Sequence, residues 1–255
     1  MLRDLISLGS VARRRLRSPA DYRQFQARQA DLILRYLASR GIDLAGRTVL
    51  DLGAGLGGYS EALATQAGRV WSLDLTPHAS TAAGPCRPVQ ADALQTPFRA
   101  GSIDFVFCAS LIEHVPFPGD LMREIRRVLR TGGVCYLSFP PFFAPQGGHE
   151  FAPFHYLGER AALWLRKRAA PPPPWVREMY APTENPRSFA EAYRGWGLYR
   201  MTISRARGLI RESGLAVTDM RPRYVWFNTA ALPILGEFLT WHVQFLLVKR
   251  EPASP

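Results

Sequence analysis

The chain has 255 residues, enough for one large domain or two small ones, and a hydrophobic fraction of 47% suits a globular protein with a sizeable core. Its formal net charge of +11 favours anionic partners such as acidic lipid, a phosphorylated carrier or nucleic acid, unless the arginines reflect only a GC-rich genome. Cys86, Cys108 and Cys135 show neither metal spacing nor an even count, which excludes a disulfide framework and fits a reduced cytoplasm.

Residues 1–18 carry Arg13, Arg14, Arg15 and Arg17 beside Leu2, Leu5, Ile6 and Leu8. The apolar part is short, broken by Asp4, and precedes the arginines, so it does not read as a signal peptide. A basic amphipathic segment of this kind suits an anionic membrane surface or a cover over a pocket, and a solvated terminus is the competing reading. Asp21–Ser39 has a helical period, with Tyr22, Phe25, Leu32, Ile33, Tyr36 and Leu37 recurring at three and four, and Gly41 stops it.

Thr48–Asp74 organises the rest. A strand (Thr48–Leu52) enters a glycine-rich turn, a helix follows at about Tyr59–Gln66, and a second strand (Arg69–Leu73) ends in Asp74. Gly53, Gly55, Gly57 and Gly58 lack the Cβ atoms that would hold a ligand off the backbone, and the helix start offers N–H groups to it. Asp74 stands where a carboxylate accepts two ribose hydroxyls. Gly53, Gly55 and Gly58 satisfy the dinucleotide pattern G-x-G-x-x-G, while Gly53, Gly55 and Gly57 equally satisfy G-x-G-x-G. Asp51 separates the two, because a carboxylate there suits the ammonium end of an amino acid-like ligand and offers a pyrophosphate nothing.

Thr76–Arg87 reads as turn material in place of a second crossover helix, and Val89–Ala91 as a short third strand before Asp92 and Ala93. Ile103–Cys108 is the fourth strand, with Ala109, Ser110 and Leu111 at its mouth, then Glu113 and His114. Asp120–Leu129 is a helix with Leu121, Ile125, Val128 and Leu129 inward, ended by Gly132 and Gly133, and Val134–Phe139 is the fifth strand. Ser204–Glu212 reads as the last large helix, and Leu215–Tyr224 and His242–Lys249 as the last strands, with a small helix near Leu232–Leu239 between them. The insertion between Pro140 and Ile203, about 60 residues, is too long for a loop and too aromatic for disorder. Pro171–Pro174 is a stiff spacer within it.

The order VLDLGAGLGG, WSLD, ADALQTPF, DFVFCASLIEHV, LRTGGVCYLSF resembles the class I S-adenosylmethionine-dependent methyltransferases over roughly residues 48–140. The resemblance implies an α/β fold: a doubly wound, seven-stranded, mostly parallel Rossmann-like sheet, here with a lid insertion after strand five. It divides the chain into a basic segment and covering helix (1–40), a cofactor-binding core (41–140), an acceptor-binding lid (141–203) and the C-terminal part of the core (204–255). It further implies S-adenosyl-L-methionine as cofactor, held by Asp51, Gly53, Ala54, Gly55, Gly57, Asp74, Leu75, Asp92, Ala93 and Ser110. Asp92 and Ala93 fall on the adenine position and Ser110 beside the methionine part.

Displacement at a sulfonium needs alignment and, for a hydroxyl acceptor, a base. His149 is the first candidate and His155 the second, in GGHEFAPFH at the start of the insertion, with Glu113 and His114 following strand four. Each histidine can equally order its loop by hydrogen bonding. His149, Glu150 and His155 match no recognised metal spacing, and no metal is expected there. The segment FPPFFAPQGGHEFAPFHYLGERAA also resembles methyltransferases of bacterial cell-surface polysaccharide pathways. The expected function is O-methylation of a sugar hydroxyl of a glycan, glycolipid or lipid-linked intermediate, by a cytoplasmic enzyme peripheral to the inner face of the membrane. The alternatives are a small-molecule methyltransferase, a nucleic-acid methyltransferase, for which no basic stripe with interleaved aromatics is present, or a non-catalytic module. A nicotinamide-dependent oxidoreductase lacks its tyrosine–lysine pair, since lysine occurs only at Lys167 and Lys249.

Overall fold

The computed structural model of the chain describes residues 12, 14–76 and 86–251. The basic amphipathic reading of residues 1–18 and the turn reading of Thr76–Arg87 therefore fall largely outside the described residues. Seven strands form a sheet: β1 (Thr48–Leu52), β2 (Arg69–Asp74), β3 (Cys86–Gln90), β4 (Ile103–Ala109), β5 (Leu129–Phe139), β6 (Ala216–Pro222) and β7 (Val243–Val248). Their order is β3-β2-β1-β4-β5-β7-β6. β1 pairs in parallel with both β2 and β4, setting Leu52 beside Leu73 on one side and Cys108 on the other. Val49, Leu50 and Leu52 and Phe105–Cys108 are buried, as continuous apolar strands must be when both sheet faces are covered. This is the doubly wound architecture expected.

The chain divides into two compact units. The first runs to Cys108 and adds Arg123–Tyr136 and the end from Val248; the second comprises Ala109–Met122 and Leu137–Leu247. In the first, α1 (Pro19–Ser39) starts on Ser18, whose hydroxyl caps the Asp21 N–H, with Pro19 in the first turn. Its buried positions are Gln26, Gln29, Ala30, Ile33, Leu34 and Leu37. Two of these are polar, so the buried face is turned away from Tyr22 and Leu32. The reason lies in α2 (Gly58–Ala64): Gln26 Oε1 accepts the Gly58 N–H at 3.3 Å, and Gln29 Oε1 takes the Tyr59 hydroxyl. Buried amides are tolerated because they are hydrogen-bonded.

α3 (Pro118–Val128) passes directly into β5 at Leu129. Gly132 and Gly133 thus lie inside the strand and do not end the helix. They exchange backbone hydrogen bonds with Lys249, Gly132 N–H to Lys249 O at 2.8 Å and Lys249 N–H to Gly133 O at 3.0 Å, and Gly132 takes φ +73. β3 likewise begins three residues earlier than Val89. Cys86, Cys108 and Cys135 are all buried.

In the second unit, the insertion folds around its own core of Phe142, Phe151, Ala162, Leu163, Phe189, Ala192, Tyr193 and Leu198. It contributes α4 (Glu159–Arg166) and α5 (Pro174–Tyr180), the latter entered from Pro173 at φ −51, ψ 149, polyproline geometry. α6 (Ile203–Ser213) is capped by Thr202 and stopped by Gly214. Glu237 of α7 (Leu235–Leu239) accepts the Ile203 and Ser204 N–H groups at 2.8 and 2.9 Å, which ties the small helix to the first turn of α6. Among the described residues, no helix is long and apolar enough to cross a membrane.

Candidate active site

The loop after β1 alternates conformations only glycine adopts freely: φ is +74 at Gly53, +54 at Gly55 and +82 at Gly57. Gly53 and Ala54 N–H groups bond to the Leu73 carbonyl, pinning the loop to the end of β2. The direction in which a Cβ would leave Gly55 is open for 4 Å, whereas one on Gly58 would meet Gln26 Cβ at 2.8 Å and Arg23 O at 2.9 Å. Gly55 therefore keeps space free, and Gly58 serves the packing of α1 on α2. α1 also takes up one helix N–H that sequence alone left available, since Gly58 N–H already donates to Gln26 Oε1.

Two carboxylates bracket this loop. Asp74 Oδ2 accepts the Gly55 N–H at 2.9 Å and Oδ1 the Thr76 N–H at 3.1 Å, so the acid is fixed at the tip of β2 while remaining half-exposed. Asp51 is buried and accepts the Ser60 hydroxyl at 2.6 Å. Burial pushes its pKa up to about 7; the Ser60 hydrogen bond opposes this and the nearby Asp74 charge adds to it. A carboxyl so poised gains most from a cationic ligand group. Asp92 is exposed and accepts the Leu94 N–H at 2.8 Å, with Ala93 buried beside it and Leu75 half-exposed beyond β2.

In the second unit, the residues after β4 meet the start of the insertion. Ser110 sits at φ +56, its N–H bonded to Ser138 O at 2.8 Å and its hydroxyl 3.3 Å from His242 Nε2. Glu113 is only 2% exposed, and neither carboxylate oxygen has a hydrogen-bond partner among the described residues. Burial raises its pKa to about 8, against the pull of the Arg223 charge. His114 places Nδ1 2.8 Å from the Gly197 carbonyl; a carbonyl only accepts, so Nδ1 carries the proton and Nε2 keeps its lone pair. Desolvation lowers its pKa to about 4, the Gly197 carbonyl opposing. His149, 35 residues onward, lies with Nε2 3.8 Å from Glu113 Oε1, and His114 Nε2 lies 4.0 Å from the same oxygen. One ligand atom from each of Glu113, His114 and His149 falls within 4.8 Å of the others.

The family described as "Methyltransferase domain" matches residues 50–137, the segment holding the loop and its carboxylates. An uncharacterized methyltransferase of Mycobacterium marinum is 32% identical over 228 residues, covering 84% of this chain and 81% of its own. Another from Mycobacterium tuberculosis is 30% identical over 269 residues, 96% and 98%. The chain belongs to the class I S-adenosylmethionine-dependent methyltransferases. A solved structure of the 1,6-didemethyltoxoflavin-N1-methyltransferase of Burkholderia thailandensis, with bound 1,6-didemethyltoxoflavin and S-adenosylhomocysteine, superposes with a TM-score of 0.52 at 17% identity, covering 89% of this chain and 79% of that one.

The residues of this methyltransferase fit its cofactor. Gly55, with open space beside it, the half-exposed Asp74 and the buried Asp51 are the residues that would supply a cradle, a hydroxyl acceptor and an anion for its ammonium group. Bound there, the cofactor supplies a sulfonium methyl open to displacement.

Of the other residues singled out from sequence, His155 is buried against Phe142 and Tyr156, and its ring would collide with a Cβ on Gly148 at 2.4 Å. Burial lowers its pKa, with the Phe142 and Ala144 carbonyls opposing. Glu150 does not join His149: its carboxylate accepts the Tyr193 hydroxyl. Sequence reading grouped His149 with Glu150 and His155, whereas the structure groups it with Glu113 and His114. Two of the aromatics that mark the insertion in sequence form a wall beside this cluster. Tyr193 and Trp196 stack with centroids 3.6 Å apart, and the Trp196 ring stands edge-on to His114 at 4.7 Å. Together with Pro116, Thr183, Glu191 and Tyr199 they line a depression of ≈ 380 Å³.

Proposed function

We propose that this methyltransferase methylates an oxygen, a sugar hydroxyl of a glycan, glycolipid or lipid-linked intermediate. The observation that carries the reading is the side of the second unit where His149, His114 and Glu113 adjoin a depression walled by stacked Tyr193 and Trp196. Sugars pack their apolar faces on aromatic rings, and a hydroxyl, unlike an amine, must shed its proton as the new bond forms. His149, its imidazole kept neutral by burial and by the neighbouring His114 and His155, is in the protonation state a base requires. His155 acts behind it by packing the loop, and Asp51 and Asp74 hold the donor. The insertion is then the acceptor-binding lid.

A second observation favours a lipid-linked acceptor. The connection between β6 and β7 exposes Trp226 (80%), Ile234 (79%) and Trp241 (56%), with Phe227, Leu232 and Leu235 also exposed. On a chain of net charge +11, an apolar face of this kind suits attachment to an anionic membrane. The test is incubation with methyl-labelled S-adenosylmethionine and a cell-envelope extract. Label in the lipid or polysaccharide fraction supports the reading, and label confined to RNA or protein overturns it.

A further inference from the structure

We infer that Glu113, His114 and His149 form a binding site for one divalent first-row transition ion. Four features converge. Glu113 is a buried carboxylate without a hydrogen-bond partner among the described residues, an arrangement that is costly unless a cation meets it. His114 donates Nδ1–H to the Gly197 carbonyl, which fixes the tautomer and turns the Nε2 lone pair toward Glu113, the outer-shell pattern of a ligating histidine. His149 is held at φ +50, a conformation a β-substituted residue adopts at a cost, between neighbours packed so tightly that a Cβ on Gly147 would lie 2.0 Å from Pro141 O. The three ligand atoms lie within 4.8 Å of one another, and bonds of about 2.1 Å would draw them to roughly 3.0–3.4 Å, a closure within side-chain rotation.

Two imidazoles and one carboxylate select Mn²⁺, Fe²⁺, Co²⁺ or Zn²⁺ over Mg²⁺ and Ca²⁺, which prefer oxygen throughout. Three protein ligands leave positions open for water or substrate, and the His149 side chain, 22% exposed, leaves a route in from solvent. The site stands on this geometry alone; its role rests on the oxygen-acceptor reading above. There the ion withdraws charge from the acceptor hydroxyl, so that its proton passes to solvent. The oxygen lone pair forms the O–CH₃ bond, and the S–CH₃ pair returns to sulfur. In that role His114 and His149 are ligands, and with the ion bound, solvent takes the proton that His149 would take as base in its absence.

The experiment uses the full chain, stripped with a chelator and titrated with Mn²⁺ followed by electron paramagnetic resonance, and with Co²⁺ followed by visible absorption. S-adenosylhomocysteine binding is measured by calorimetry on the same preparations. One equivalent of bound ion in the wild type, weakened roughly 30-fold or more in His149→Ala and in Glu113→Gln, is the expected result. Absence of stoichiometric binding to wild type that binds S-adenosylhomocysteine, or equal binding by wild type and both variants, overturns the site. Failure to bind S-adenosylhomocysteine would instead strike the cofactor reading, and the metal titration would still be read. A metal-dependent rise in melting temperature that Glu113→Gln abolishes is the second readout.

Discussion

Ser60 donates its hydroxyl to the buried carboxylate of Asp51 at 2.6 Å, which fixes the acid at the end of β1 without satisfying its charge. If Asp51 meets the ammonium group of the cofactor, as we propose, its pKa of about 7 in the free protein sets a pH dependence for cofactor binding, because the cationic group binds the ionised acid. Below pH 7 the free protein carries the proton and must release it, so affinity falls as pH falls, approaching tenfold per pH unit. Above pH 7 affinity levels off. Calorimetric titration with S-adenosylhomocysteine between pH 5.5 and 8.5 checks this, and Asp51→Asn should flatten the profile at the weak end.

The same pKa fixes the sign for stability. A carboxyl raised from 3.8 to about 7 on folding leaves the folded state binding more protons than the unfolded state between those values. Without ligand, its contribution to stability falls as pH rises from about 4 to 7, and Asp51→Asn should remove that slope from a series of denaturant melts.

Gly55 and Gly58 should separate cleanly on substitution. Gly55→Ala meets open space but a left-handed backbone, so we expect a stability loss of about 1 kcal/mol and a larger fall in S-adenosylhomocysteine affinity as the methyl enters the cradle. Gly58→Ala drives a Cβ into Gln26 and the Arg23 carbonyl, so we expect about 1–3 kcal/mol of destabilisation. Thermal melts combined with ligand titration distinguish the two. Equal affinity losses at both positions would refute the assignment of Gly58 to packing.

The β1–loop–β2 unit was legible because its chemistry is local. Glycines at Gly53, Gly55 and Gly57 are demanded by positive φ, and Asp74 follows the apolar strand that carries it. The buried face of α1 was legible only in part: Ile33 and Leu37 of its apolar repeat are buried, but Gln26 and Gln29 look solvent-facing until α2 supplies their partners. The end of α3 was misjudged because Gly132 and Gly133 look like a helix stop, yet they lie in β5, where their backbone meets Lys249. The grouping of His149 with Glu113 and His114 joins positions 35 residues apart and is a product of tertiary folding. So is the pairing of Ser110 with His242, a residue that read only as the first of a strand.

The stacked pair Tyr193–Trp196 gives two unequal predictions. Tyr193→Phe keeps the ring and loses only the hydroxyl donated to Glu150. Glu150 is exposed and finds water instead, so stability should change by less than about 1 kcal/mol and KM for the acceptor little. Trp196→Ala removes one ring of the stack, part of the depression wall and the edge contact with His114. We expect KM to rise by roughly tenfold or more, with kcat falling as His114 loosens. Steady-state kinetics with a fixed concentration of donor reads both.

Ile234 links the apolar connection to backbone strain. It sits at φ +59 immediately before α7, a conformation that a β-branched side chain adopts poorly, and its side chain is 79% exposed. Its exposure, beside exposed Leu232 and Leu235, is what insertion into lipid would use. With ψ −58 and the Leu235 N–H bonded to the Pro233 carbonyl, Ile234 is the centre of a tight three-residue turn, so Ile234→Gly should stabilise the free protein by up to about 1 kcal/mol, because glycine adopts that backbone without a Cβ clash. It should also weaken co-sedimentation with vesicles containing anionic lipid, as should Trp226→Ser. Binding should fall with added salt because the chain carries +11. Unchanged vesicle binding in both variants would remove the membrane from the account and leave a soluble acceptor in its place.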